Sequence, residues 1–194
     1  MAFTISPGLL PAHHHDAARL YWQAFGPKLG KLMGPEARGV GFFAATVNPE
    51  AVISAVLDGR LIGIAAFKRG ANGFSQGGLG ALWRHYGFGT LWRLPFLLLL
   101  ERNAPRDTLQ MDGICVDASG RGKGVGTALL KAIIETAKAQ GRAKVTLDVI
   151  DSNPRARALY QRFGFKPTGT AQLGPLRHIF GFSAATTMVL EIGT

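Results

Sequence analysis

The alternation of apolar and polar residues is most regular in the second half of the chain. An apolar run from Leu109 precedes a glycine-rich turn, and apolar residues from about Thr127 to Gln140 then recur every three or four positions. This spacing predicts a strand followed by an amphipathic helix. From Lys144 to Val149 the pattern alternates strictly, which predicts a second strand with Asp148 on its polar face. A strand, a helix and a strand in this order predict two parallel strands with a right-handed crossover.

Signals beyond the second strand predict a further helix and a closing pair of strands. Asn153 is suited to cap a helix, Pro154 to occupy its first position and Gly164 to end it. Residues 165 to 192 are consistent with two strands, of which Thr186 to Ile192 is the more regular.

The first half of the chain predicts shorter elements. Residues 3 to 5 predict a short strand, and the apolar spacing from His13 to Phe25 predicts a helix that ends at Gly26-Pro27. The glycines and proline between residues 28 and 40 predict a loop, and a short helix follows at about residues 41 to 47.

Two apolar, β-branched runs flank Asp58-Gly59-Arg60. An Asp-Gly pair between such runs is a strong signal for a tight β-hairpin, so the hairpin is predicted to consist of Ala51 to Leu57 and Leu61 to Lys68.

Composition limits the classes of protein that fit. The chain has 194 residues, 47% of them hydrophobic and 18% charged, which predicts one globular domain over residues 1 to 194. A single cysteine, Cys115, excludes an internal disulfide and agrees with the reducing cytoplasm, where we expect the protein. No basic region followed by a long apolar core stands at the N-terminus, so no signal peptide is expected.

The formal net charge of +10 raises the question of nucleic-acid binding. The basic residues are scattered and no aromatic run is interleaved with them, so nucleic acid is not the expected partner. The most apolar stretch, Leu91 to Leu100, is about half the length needed to span a bilayer and contains Arg93 and Pro95, so no membrane span is expected. Three consecutive histidines, His13 to His15, point in different directions on a helix, and no metal site is expected from them.

The turn between the first predicted strand and its helix is the strongest candidate for a ligand site. Gly120, Gly122, Gly124 and Gly126 occupy every second position in it. Glycine permits positive φ and lets a ligand approach bare backbone. The first amides of the following helix lack intrahelical acceptors and lie at the positive end of its dipole. The turn is therefore predicted to cradle a phosphate or pyrophosphate.

The spacing within this turn narrows the choice of ligand. G-x-x-x-x-G-K-[S/T] does not occur, and Arg121 stands where a dinucleotide fingerprint has its first glycine. The R-x-x-G-x-G of Arg121 to Gly126 resembles the acetyl-CoA pyrophosphate loop of the GNAT superfamily of N-acetyltransferases. A second segment, Asn153 to Phe165, is similar to that family's N-x-x-A-x-x-L-Y-x-x-x-G-F block. The two blocks stand in the expected order and cover about residues 109 to 166.

The resemblance implies an α/β (α+β) fold, with a mixed, mostly antiparallel twisted sheet flanked by helices and the parallel strand-helix-strand unit at its centre. It implies acetyl-CoA as cosubstrate, an amine as acceptor and no metal. The glycine turn would hold the pyrophosphate, and backbone groups at the end of the preceding strand would bind the pantetheine and polarise the acetyl carbonyl. The implied acetyl-CoA contacts are Ile114, Cys115, Val116, Arg121, Gly122, Lys123, Gly124, Val125, Gly126, Thr127, Asn153 and Arg155.

The resemblance also places catalytic candidates. Tyr160 falls where the family has its thiolate-protonating tyrosine. A phenol of pKa about 10 can protonate a thiolate of pKa about 8.5 at a small cost. The base that deprotonates the amine is left open between Asp148, Asp112 and a chain of waters. A covalent route through Cys115 is the further alternative, although the sequence indicates no His partner for it.

Residues 70 to 103 depart from the compact family pattern. Their glycines predict a mobile loop up to about residue 80, and Leu79 to Glu101 predict a helical insertion, broken at Pro95, with an aromatic face. Three destinations for that face are open: the core of the domain, a partner subunit in a homodimer, and the roof of the acceptor pocket.

Two functions from different classes fit the sequence best, and a nucleic-acid-associated protein is the third alternative. The first is an N-acetyltransferase that uses acetyl-CoA by direct transfer in a ternary complex, with a small amine, an amino acid or a peptide N-terminus as acceptor. The second is a non-catalytic module that binds acyl-CoA. Only 12 acidic residues occur in the chain, which disfavours a polycationic acceptor.

Overall fold

The computed structural model describes residues 3–68, 73–100 and 105–192, and its strands form one seven-stranded sheet. The strands are β1 Thr4–Pro7, β2 Val52–Leu57, β3 Arg60–Phe67, β4 Thr108–Val116, β5 Lys144–Ile150, β6 Lys166–Gln172 and β7 Ala184–Glu191. Their order is β1-β2-β3-β4-β5-β7-β6, and all neighbours are antiparallel except β4 and β5. The mixed, mostly antiparallel sheet and its central parallel pair confirm the prediction.

Helices cover both faces of the sheet. In the described part of the chain they are α1 His14–Met33, α2 Glu36–Thr46, α3 Leu79–Tyr86, α4 Thr90–Leu100, α5 Val125–Ala139, α6 Pro154–Arg162 and α7 Arg177–Phe180. Alternate side chains of β3 show the division: Ile64 and Ala66 pack into the core with α1 and α2, whereas Ala65 and Phe67 pack into the core with α5. The strand-helix-strand unit β4-α5-β5 is found as predicted.

The Asp-Gly hairpin has the backbone that the sequence indicates. Asp58 has φ 49° and Gly59 has φ 76°, and both positive values are required by the tight turn that matches the twist of the flanking strands. β2 and β3 pair antiparallel from Val52↔Ala66 to Leu57↔Arg60, which confirms the hairpin.

The predicted end of the first helix is wrong. α1 continues through Gly26-Pro27 to Met33, and α2 already begins at Glu36, so most of the loop expected over residues 28 to 40 is helical. An interior proline costs a helix about 3 kcal/mol. Continuing the helix buries Leu29, Leu32 and Met33, and this packing outweighs the local penalty.

The insertion is helical, but its break lies elsewhere than predicted. Pro95 lies inside α4, whereas the chain turns between the two helices at Gly87, which has φ 54°. Pro95 and Leu91 are exposed, so water can bind the Leu91 carbonyl that loses its helical donor. Part of the expected glycine loop, residues 69 to 72, lies outside the described residues.

The aromatic face of the insertion divides between core and surface. Leu82 and Tyr86 are buried in the core, whereas Trp83, Phe88 and Trp92 are exposed. Core packing is therefore confirmed for part of the face only. No helix within residues 3–68, 73–100 and 105–192 is long and apolar enough to cross a bilayer.

Arg93 attaches the insertion to the end of α1. Its Nε donates a hydrogen bond to the Leu32 carbonyl at 2.5 Å, and its Nη1 donates to the Gly89 carbonyl at 2.8 Å. The guanidinium also lies 4.6 Å from the centre of the Tyr86 ring, whose hydroxyl donates to the Met33 carbonyl at 2.7 Å. The bonds to Leu32 and Met33 satisfy carbonyls of the last turn of α1, which have no helical donor of their own.

Candidate active site

β4 and β5 pair over only three positions, from Thr108↔Lys144 to Gln110↔Thr146. Beyond them β4 continues to Val116 and β5 to Ile150, with no further pairing between the two strands. Paired strands lie about 4.8 Å apart, so strands that stop pairing open a wedge. From here on, the wedge means the gap between residues 111–116 of β4 and 147–150 of β5.

A cavity of about 410 Å³ occupies the wedge. It is called the donor cavity below, after the acetyl donor that the sequence resemblance leads us to expect beside β4. Its volume lies in the range of small-molecule sites, about 300–1,000 Å³. Both strands line it, together with Phe25 from α1 and Phe180 from α7. The predicted site residues that line it are Asp112, Ile114, Asp148, Asn153 and Tyr160. Cys115, Val116, Arg155 and residues 121 to 127 lie outside its lining.

The glycine turn leads from β4 into α5. The residue before the helix, Gly124, has φ 80°, and Gly122 has φ 75°. A Cβ at either position would meet no atom of the described residues within 4 Å, so glycine is required there by conformation and not by crowding. The space beside the turn is open.

The first turn of α5 presents unpaired donors at this open space. Ala128 donates to the Gly124 carbonyl at 2.9 Å, which leaves the N–H groups of Val125, Gly126 and Thr127 without an intrahelical acceptor. The first turn contains no acidic residue, and the side chains of Arg121 and Lys123 are exposed nearby. The amides, the helix dipole and the two cations together suit a pyrophosphate.

Hydrogen bonding to β3 shows which β4 amides face the wedge. Asp117, just beyond β4, donates its N–H to the Ile62 carbonyl of β3 at 2.9 Å. Successive backbone groups of a strand point to opposite edges, so Cys115 also turns its N–H toward β3. Ile114 and Val116 consequently direct theirs toward the wedge. Two of the three predicted backbone positions thus have donors on the side of the wedge.

Tyr160 lies on α6 with its side chain buried and lines the donor cavity. Its ring packs against Phe165 at 5.8 Å between centroids. Burial raises the pKa of the Tyr160 hydroxyl, and the nearby Cys115 raises it further. The raised pKa keeps the hydroxyl protonated, and because it has no hydrogen-bond partner within the described residues it is available to donate.

Asp148 is exposed on β5 directly opposite Thr187 of β7. Its Oδ1 accepts a hydrogen bond from the Thr187 hydroxyl at 2.6 Å, which fixes the carboxylate at the edge of the donor cavity. This is the polar face of the strand that the alternation predicts.

Asp112 owes its position to an irregularity in β4. The pairing with β3 steps from Ala66↔Gly113 to Phe67↔Met111, so one extra residue stands in β4 at this point. A bulge of this kind breaks the alternation of side chains. The Oδ2 of Asp112 accepts the N–H of Phe74 at 2.9 Å, in the core that contains α1 and Cys115.

Cys115 is buried in that same core. Burial raises the pKa of its thiol, and the charge of Asp112 raises it further. A thiol held in the protonated form is a poor nucleophile, which disfavours the covalent route.

Gln110 is a candidate that the sequence did not single out. It is the last β4 residue paired with β5, it lines the donor cavity, and its buried Oε1 has no hydrogen-bond partner within the described residues. A buried acceptor without a partner is costly, so a bound ligand N–H would stabilise it. A lone Gln in a strand carries no motif, and the signal arises only from the point at which the strands part.

Asn153 and Arg155 begin α6 on the other side of the wedge. The Asn153 side chain accepts the N–H of Ala156 at 3.1 Å and so caps the helix, as predicted. Asn153 lines the donor cavity, whereas Arg155 is exposed outside it.

Fold and site together define an α/β protein in which a helix N-terminus, with amides that lack intrahelical acceptors, lies beside a cleft between two parallel strands. The family model for the acetyltransferase (GNAT) family matches residues 14–165, and the chain belongs to this family. GNAT N-acetyltransferases are acyltransferases.

Known relatives share parts of the sequence and the whole fold. Human N-acetyltransferase 8B is 39% identical over 61 residues, which are 31% of this chain and only 27% of that protein. An N-acetyltransferase from Staphylococcus aureus Mu50 has a TM-score of 0.68 at 17% identity, with 96% of this chain and 100% of that chain covered. Ard1 from Thermoplasma volcanium has a TM-score of 0.65 at 18% identity, with 100% of both covered. At such identities the solved structures show the fold alone.

Proposed function

We propose that this protein transfers the acetyl group of acetyl-CoA to a primary amine by direct attack in a ternary complex. The observation that carries the proposal is the row of unpaired amides at Val125, Gly126 and Thr127, beside a wedge whose β4 edge is also unpaired. The first suits the pyrophosphate of a CoA thioester and the second suits the amides of its pantetheine arm.

The donor would lie along β4 with its thioester between the strands. The pantetheine arm would then take the place of the missing strand partner and accept from the N–H groups of Ile114 and Val116, one of which would polarise the acetyl carbonyl. Arg121 and Lys123 add charge beside the phosphates, and Asn153 and Arg155 flank the opposite side of the wedge. Gln110 would accept a hydrogen bond from a ligand N–H.

The attacking amine must be neutral, so an acceptor that arrives as an ammonium first loses a proton to solvent. The transfer itself then needs one proton taken from the nitrogen and one given to the sulfur. The amine nitrogen attacks the carbonyl carbon and forms the N–C bond, and collapse of the tetrahedral intermediate breaks the C–S bond. Tyr160 donates its proton to the departing thiolate, for which its raised pKa keeps it protonated. The nitrogen loses a proton to Asp148, Asp112 or a water held between them, and solvent restores the proton of Tyr160.

Acetyl-CoA binding tests the donor site separately from catalysis. Gly124→Ala should weaken binding about tenfold or more. Alanine disfavours the φ of 80° found at this position, so the backbone should change and displace the first-turn amides of α5. Gly141→Ala is the matched control: Gly141 has φ 64° just beyond the far end of α5, and a Cβ there also meets nothing within 4 Å. Calorimetry that shows equal binding by both variants would remove the cradle from the proposal.

Release of free CoA thiol over a panel of amines tests the transfer itself. We expect release that depends on both acetyl-CoA and an amine. The second candidate, a non-catalytic acyl-CoA-binding module, is favoured if acetyl-CoA binds tightly while every amine in the panel fails to release thiol.

A further inference from the structure

A second cavity of about 420 Å³ lies next to the donor cavity, on the side of α1 and α2. It is called the apolar cavity below. Most of its wall comes from α1, α2, the insertion helices α3 and α4, and the strap of residues 73 to 78 that precedes α3, and Lys68 and Asp112 complete it. Its insertion side consists of Leu79, Leu82, Leu94, Leu97 and Leu98.

The two cavities share three lining residues, Phe25, Lys68 and Asp112. Phe25 lies against β4 at Gly113, where an added Cβ would approach the Phe25 Cζ to 2.5 Å. A ring can occupy this position only because residue 113 has no side chain. A molecule that fills the apolar cavity therefore ends at the residues that also border the donor.

The apolar cavity is aromatic and preformed. Tyr21 stacks on Phe74 with ring centroids 4.1 Å apart and planes 4° from parallel. The strap is fixed to the end of α2, since Asn48 donates its N–H to the Phe74 carbonyl and Gln76 donates its own to the Thr46 carbonyl, both at 2.8 Å. Fixed walls lower the entropy lost when a ligand binds.

The charged residues between the two cavities restrict which ligands the apolar cavity can bind. In the lining that the structure describes, Asp112 is the one carboxylate of the apolar cavity and Lys68 is its one cation. The Phe74 N–H binds Oδ2 of Asp112 and so fixes the carboxylate beside the shared wall. A single carboxylate at the mouth of an aromatic cavity suits one ammonium joined to an apolar group. Lys68 disfavours a second positive charge there.

We propose that the apolar cavity binds the acceptor, and that this acceptor is a primary amine with an aryl or branched alkyl group, placed so that its ammonium meets Asp112. The inference rests on the proposed function for its donor and deepens it by naming the acceptor class. Asp112 distinguishes this occupant from a long acyl chain of the donor, which has no group for a carboxylate to bind.

Binding of amines to the protein saturated with CoA tests the proposal without turnover, because CoA carries no acetyl group to transfer. By calorimetry, 2-phenylethylamine should bind at least about tenfold more tightly than ethylamine, because its ring leaves water for an apolar wall. Leu97→Trp fills the cavity and should weaken that binding at least about tenfold. Leu91→Trp is the matched control on the same helix, since Leu91 is 66% exposed and lines neither cavity.

Asp112→Asn separates the charge from the shape. The amide oxygen of Asn can still accept the Phe74 N–H, so the strap is retained. This variant should bind 2-phenylethylamine several-fold more weakly and should bind the uncharged 2-phenylethanol as tightly as the wild-type protein does. If Leu97→Trp fails to fold, Leu97→Ala serves: it enlarges the cavity and should shift preference toward a naphthyl-substituted ethylamine.

The outcomes distinguish this proposal from the proposed function. Equal binding of 2-phenylethylamine and ethylamine, or no effect of either Leu97 variant, overturns the acceptor class even if thiol release is found. The proposal is also overturned if Leu97→Trp weakens the binding of octanoyl-CoA but not that of the amine, because the cavity then binds an acyl chain. Amine binding as expected without any thiol release supports the pocket and contradicts the transfer reaction.

Discussion

Tyr160→Phe is the most specific single-residue test of the mechanism. The ring can keep its contact with Phe165, and the lost hydroxyl has no protein partner within the described residues, so folding should be little affected. A positioned acid contributes about 10²-fold or more, so kcat should fall by that order while KM for acetyl-CoA stays nearly constant.

The proposed role of Tyr160 also predicts how the rate of the wild-type protein depends on pH. In the proposed mechanism Tyr160 acts in its protonated form, and burial raises its pKa above the ordinary value of about 10. Steady-state rates should therefore show no decline on the alkaline side up to about pH 10. Unchanged turnover in the variant, or a wild-type decline well below that pH, would exclude Tyr160 as the acid.

Sequence reasoning finds residues with a local signature and misses those that depend on a neighbour. Asn153 caps a helix as its position predicts, because the cap and the first helical turn are adjacent in sequence. Gln110 and the orientation of Asp112 depend on where β4 stops pairing with β5 and on an extra residue opposite Phe67. Neither event has a sequence pattern, since both are decided by pairing between distant strands.

At the scale of elements, the tight-turn signal predicts the structure correctly, whereas a proline within an apolar helical pattern does not predict where that helix ends. Asp58-Gly59 forms the expected tight turn because both residues can adopt positive φ there. Gly26-Pro27 and Pro95 do not end their helices, since burial of Leu32 and Met33 in one case and solvation of an exposed turn in the other offset the local cost. Burial of this kind is invisible without the tertiary structure.

Arg93 allows a test at the same scale. Arg93→Met keeps much of the aliphatic stem but removes the donors to the Leu32 and Gly89 carbonyls and the contact with Tyr86. We expect the free energy of unfolding in urea to fall by about 1–3 kcal/mol. Arg84→Met, at an exposed position of α3, is the control and should change that free energy by less than about 0.5 kcal/mol. Equal stability of the two variants would show that Arg93 does not attach the insertion to α1.

At the scale of the whole molecule, the net charge of +10 predicts how donor binding responds to salt. CoA carries several phosphate charges, and the exposed Arg121 and Lys123 lie beside the cradle. Raising ionic strength from about 0.05 to 0.5 M shortens the Debye length severalfold, so the Kd for acetyl-CoA measured by calorimetry should rise. Dephospho-CoA, which lacks the 3′-phosphate, should show a weaker salt dependence. A Kd that does not vary with salt would indicate that the charge plays no part in recruiting the donor.

The three-pair contact between β4 and β5 leaves the ladder at the centre of the sheet unfinished. A thioester arm laid along the free edge of β4 would act as an extra strand and make part of the missing connection between the two halves of the sheet. Donor affinity and resistance to unfolding would then both measure this connection. Each tenfold rise in donor concentration above the Kd adds about 1.4 kcal/mol to the free energy of unfolding. On this view the cosubstrate also serves, while bound, as a removable structural part of the enzyme.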